Sequence, residues 1–172
     1  MKSLLQRTGP ASARIAVFLF AGFVGAACGT TGPTLKVNQE PTGPLGAYKS
    51  VKIECSAEDP KEKGKEYTGR METQLLVKLK ERESFSEFKL SKDEGTTDVT
   101  LKVVILDMKK AGGWGWYGRS SSKVSCDGSL VDNKTNAVIV SFSVVAKPKY
   151  ANVETALEDA ATQIADYLRE KK

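Results

Sequence analysis

Three thiols, a few clustered carboxylates and one aromatic segment are the groups in this 172-residue chain whose types and spacing could do chemistry. Cys28 stands directly behind the small residues Gly25, Ala26 and Ala27 at the end of an apolar run. Cys55 and Cys126 have neither Cys-x-x-Cys nor metal-ligand spacing, so thiol redox catalysis and zinc binding are not expected of them. The chain has no histidine. That removes the commonest general base and the commonest transition-metal ligand together, and with them Ser-His-Asp and Cys-His catalysis. Asp93, Glu94 and Asp98, near a strand start, are examples of carboxylates an enzyme could use, although an exposed polar turn is the commoner explanation of them. No glycine-rich phosphate loop or dinucleotide fingerprint occurs, so no metal and no cofactor are expected and the chain is read as a non-enzyme.

The elements that would position these groups begin with a leader. Lys2, Arg7 and Arg14 precede the apolar stretch Ile15 to Ala27, a basic region followed by a hydrophobic one. Thirteen residues at about 1.5 Å each cover roughly 20 Å, short of a hydrocarbon core of about 30 Å, which favours a signal over a spanning helix. With Gly25-Ala26-Ala27-Cys28 behind it, this leader resembles the lipobox of bacterial lipoprotein precursors, departing from the pattern at Gly25, where a Leu or Val is usual. The resemblance implies that residues 1–27 are removed and that the Cys28 thiol is acylated, anchoring the chain to a membrane through an N-terminal lipid. The alternative is an ordinary secretory signal and a protein released into the periplasm. Gly29 in place of Asp after Cys28 fits the sorting rule that sends enterobacterial lipoproteins to the outer membrane rather than the inner one.

Loss of the leader changes the charge argument. Lys2, Arg7 and Arg14 carry three of the five excess positive charges, leaving a formal charge of +2 on the mature chain. The basic balance is therefore no nucleic-acid footprint. From Cys28 to Ala47 the chain is rich in Gly, Thr and Pro and reads as a flexible tether, with one domain over 48–172.

Within that domain, Val51, Ile53 and Cys55 alternate with Lys52, Glu54 and Ser56 as a half-buried strand. Tyr67, Met71, Leu75 and Leu79 recur at a four-residue spacing and predict an amphipathic helix from about Glu66 to Glu83. Phe85 and Phe88 would seal the core at its end. Val99 to Met108, Lys123 to Val131 and a run from Val138 through Val144 alternate as three more strands, the last two joined by a turn at Asp132–Asn136. A final helix places Val153, Leu157, Ala160, Ala161, Ile164 and Leu168 on one face, with Asn152 as its cap. The expected fold is α+β, a four-stranded, mostly antiparallel sheet with both helices on one face, in the order β-α-β-β-β-α. This order behind a lipobox is similar to small bacterial lipoproteins of unknown function, whose fold is like the amino-terminal domain of TolB and the lipoprotein activators of penicillin-binding proteins. The likeness implies a periplasmic binding or assembly role and supplies no catalytic residue.

Cys55 and Cys126 both fall on the inward parity of their strands, so they either form a disulfide or fill the core as small apolar groups. A bond demands neighbouring strands. One segment is not accounted for by folding: Lys109-Lys-Ala-Gly-Gly-Trp-Gly-Trp-Tyr-Gly-Arg119 sets Trp114, Trp116 and Tyr117 among glycines, with Arg119 behind them. Such a loop suits an envelope protein partner, a glycan or lipid headgroups. The same composition would also serve a twisted hairpin whose rings fold back on the sheet. A membrane-held binding or assembly module is the first functional reading, a structural envelope component, oligomeric or bound to peptidoglycan, the second, and a carboxylate enzyme the third.

Overall fold

A computed structural model describes residues 34–58, 62–109, 122–148 and 152–172. Eight elements follow one another: β1 (Thr34–Gln39), β2 (Ser50–Ala57), α1 (Glu62–Glu81), β3 (Glu87–Leu90), β4 (Val99–Lys109), β5 (Lys123–Asp132), β6 (Val138–Ala146) and α2 (Val153–Glu170). All the strands join one sheet in the order β1-β6-β5-β4-β2-β3. The α+β class and the two helices agree with expectation. The sheet is six-stranded rather than four-stranded, and mixed: β2 runs parallel to both β3 and β4, and the remaining pairs are antiparallel.

The two unanticipated strands are the two edges, and both carry weak patterns for a physical reason. An edge strand buries little, so few of its side chains need be apolar. In β1 only Leu35 and Val37 turn toward the core, between exposed Thr34, Lys36 and Asn38. β3 is four residues long and contains Phe88, which packs edge-to-face on buried Phe85 at 6.4 Å between ring centres. The stretch expected to be a tether as far as Ala47 therefore folds from Thr34 onward. A single 3-10 turn at Leu45–Ala47 buries Leu45, whose amide donates to the Lys171 carbonyl at 2.9 Å, while Glu40 accepts from Lys171 Nζ at 2.9 Å. The connection from β1 to β2 is thus clasped to the carboxyl end of α2.

Both helices cover the same sheet face. Inward residues Val51, Ile53, Leu101, Val103, Leu130, Phe142 and Val144 are fully buried in one cluster with Met71, Leu75 and Leu79 of α1 and Leu157, Ile164 and Leu168 of α2. Asn152 caps α2 as expected, its side chain accepting from the Thr155 amide at 3.0 Å. α1 closes in a Schellman arrangement, the Ser84 amide reaching the Leu79 carbonyl and Glu83 taking a left-handed conformation at φ 51°. The turn at Asp132–Asn136 is also as expected: one Asp132 carboxylate oxygen accepts from the amides of Lys134 and Thr135.

A close approach in the core joins neighbours on β5 and β6. Gly128 pairs with Phe142, whose ring lies over the glycine and edge-on to Tyr167 at 5.7 Å. A Cβ at position 128 would fall 2.2 Å from the ring. Gly128→Ala should accordingly cost about 1–3 kcal/mol in denaturant unfolding, with part of the loss recovered on adding Phe142→Leu.

Candidate functional site

At the end of the sheet where β4 hands over to β5, Lys109 pairs with Lys123. β1 enters at that same end, Thr34 pairing with Val145, which itself pairs with Ser125. The register of β4 against β5 slips between Ile105 and Asp107, so one extra residue, Leu106, is accommodated there. Ser125 faces away from the helices because Val124 and Cys126 on either side of it are buried, and Asp107, paired with Ser125, shares that open face. Leu106 and Val145 are 40 % and 38 % exposed, two of the few large apolar side chains left uncovered among the described residues. Asp107 and Lys123 form an ion pair at 3.5 Å. The segment that this sheet end brackets, with Trp114, Trp116, Tyr117 and Arg119, lies outside the described residues, as does Cys28.

The two remaining cysteines sit apart. Cys55 pairs with Val103 and Cys126 with Ile105, so β4 runs between them and they are also offset along it. Two strand spacings of about 4.8 Å exceed the roughly 7 Å that a disulfide can span. Both thiols are free. Of the two roles open to them, filling the core is the one this topology permits. Burial pushes the Cys126 thiol up to about 12 and raises Cys55 further, with the Glu72 carboxylate adding to the shift at Cys55. Glu72 reaches across from α1 to accept the Cys55 amide at 3.1 Å, satisfying a stretch of β2 that short β3 leaves uncovered.

Two of the three carboxylates considered for catalysis bind backbone amides. Asp93 accepts the Leu90 amide at 2.8 Å and Glu94 is exposed. Asp98 accepts the amides of Lys49 at 2.8 Å and Ser50 at 3.0 Å, while its own amide donates to Ser50 Oγ. It ties the start of β4 to the start of β2. Beside it, Asn133 donates to the Thr97 carbonyl and accepts from buried Thr100 Oγ1 at 2.8 Å. The Lys49 amide, then the Ser50 amide, hold Asp98 below the usual carboxylate range. A cavity of about 330 Å³ lies elsewhere, between the helices, where Arg70 bridges Glu66 and Glu154; it is shallow and brings none of these three carboxylates together. No group of three Cys, Asp or Glu among the described residues is placed to hold a metal ion. No helix among them is long and apolar enough to cross a membrane.

No protein-family model matches the chain, and no curated protein does so either. Solved structures share the fold at low identity. The PelC dodecamer from Paraburkholderia phytofirmans is 11 % identical and superposes with a TM-score of 0.62, covering 80 % of this chain and 97 % of that one. A point variant of the same protein gives 0.56 at 12 % identity with the same coverage. A lipoprotein from Neisseria meningitidis is 15 % identical, with a TM-score of 0.45 over 69 % of this chain and 99 % of that one. At this identity the likeness to PelC is one of fold alone.

Two measurements check the roles given to the thiols and to Asp98. In the native state both thiols should alkylate far more slowly than in denaturant at the same pH, followed by mass. Asp98→Ala should lose about 1–2 kcal/mol at neutral pH. Because the folded-state pKa of Asp98 is depressed, its contribution is present above the ordinary carboxylate range and lost as pH falls through the lower folded value. The gap between wild type and Asp98→Ala should accordingly close in acid, measured by urea unfolding at a series of pH values.

Proposed function

We propose that this chain is a lipoprotein held by an acylated Cys28 in the outer membrane, where it acts as a non-catalytic binding or assembly module facing the periplasm. The carrying observation is the position of Thr34. It begins β1 six residues after Cys28, at the sheet end where Lys109 and Lys123 bracket the aromatic segment. Six residues reach roughly 20 Å at full extension. A lipid on Cys28 would hold Trp114, Trp116, Tyr117 and Arg119 near the membrane and aim them at partners there. The use of Asp93 and Asp98 as backbone acceptors supports a role without catalysis. The kinship with the TolB domain and the penicillin-binding-protein activators rests on element order alone.

A structural role as an oligomer is the second reading. It is favoured by the likeness to PelC, which forms a dodecamer. Native mass spectrometry of the mature protein separates the two: one high-order species supports the structural reading, a monomer the binding module.

The anchor is tested by growth in labelled palmitate. Wild type should take up label and Cys28→Ala should not; label on the variant sinks the assignment. Photocrosslinking from position 116 in intact cells should then capture one defined envelope protein.

A further inference from the structure

The open face of the sheet is polar over most of its area, carrying Lys52, Glu54, Lys102, Asp127, Ser129 and Ser141, but it changes character at one end. Leu106 and Val145 flank the small side chain of Ser125 across β4, β5 and β6, and half-buried Val104 lies beside them. Around this apolar pair the strand alternation sets Lys36, Lys109 and Lys123 on the open face, with Lys147 one residue past the end of β6, and the nearby carboxylates are Asp107, Asp127 and Glu58. Lys36, Lys109 and Lys147 are exposed.

We propose that this end of the sheet rests directly on an anionic lipid surface, with Leu106 and Val145 entering the headgroup layer and the lysines meeting phosphate. This deepens the anchor reading and rests on it. Three observations converge. The chain outside the described residues enters at Thr34, in the same row as Val145 and Ser125, so a lipid at Cys28 cannot lie farther than roughly 20 Å from the patch. Four lysines against three carboxylates leave the patch net positive, the sign that anionic headgroups attract, and the exposed lysines at its rim fall within the approximately 10 Å over which such attraction acts. The apolar area is small: two aliphatic side chains fall far short of the roughly 800 Å² per partner that a stable protein interface takes, but they suit shallow insertion ringed by lysine stems.

The test uses the mature acylated protein in vesicles and an impermeant amine-reactive label read lysine by lysine. With phosphatidylglycerol in the vesicles, Lys109, Lys123 and Lys147 should react at least about threefold more slowly than with phosphatidylcholine alone, and the protection should vanish near about 0.5 M salt. Lys134, in the turn at the opposite end of the sheet, should react equally in both. Lys109→Gln/Lys147→Gln should lose the protection of Lys123 while unfolding like wild type. Equal rates in the two vesicle types, or protection that survives in the double variant, would overturn the proposal. The mass of the N-terminal peptide reports the acyl chains separately. If none are present the anchor reading fails, and the same protection is still expected when the protein is added to preformed phosphatidylglycerol vesicles.

Discussion

One sheet face has to be sealed by two helices, and every other feature of the fold answers to that requirement. The inward side chains of β2, β4, β5 and β6 are fully buried or nearly so, and each large one contributes about 1.5–3 kcal/mol only while α1 and α2 lie over it. α1 closes the side of the sheet at β2 and β3, α2 the side at β5 and β6, and the helices meet along a line marked by ion pairs from Arg70, Lys78 and Arg82 to Glu154, Glu158 and Asp166. These pairs are partly exposed, so they align the helices more than they stabilise them. The Gly128–Phe142 contact belongs to the same demand, since a ring of that size fits beneath α2 only where its neighbour has no side chain.

Sealing one face leaves the other open, and the two ends of the sheet divide the remaining work. At the end holding Asp98, Asp132 and Asn133, the polar side chains bind backbone amides and carbonyls. That end sets the register of β2, β4 and β5, and Asp132 also accepts the Tyr48 hydroxyl at 3.2 Å. The opposite end carries a β-bulge, uncovered aliphatic side chains and a lysine rim, and it is where the chain enters from Cys28.

Much of the chemistry is legible in the residues themselves. The absence of histidine, the parity of Cys55 and Cys126, the Asn152 cap and the Asp132–Asn136 turn depend on residue type and local spacing, which the chain states directly. The edges are not legible in that way. β1 exposes alternate residues amid Gly, Thr and Pro, and β3 is too short to show a period, so both merge with their surroundings. Their existence depends on partners, β6 for one and β2 for the other, which lie far away in sequence.

Local pattern alone sets the class of the domain, the two helices, the four inner strands and the exclusion of histidine-based chemistry, because periodicity and composition are properties of neighbouring residues. Three matters belong to the assembled fold. Strand order places β4 between the two cysteines, which leaves them as free thiols filling the core. Pairing with β6 turns most of the supposed tether into an edge strand and a clasp on α2, shortening the link from Cys28 to six residues. Register gathers Lys36, Lys109 and Lys123 around Leu106 and Val145. Each is set by contacts between residues distant along the chain, and no local pattern encodes such contacts.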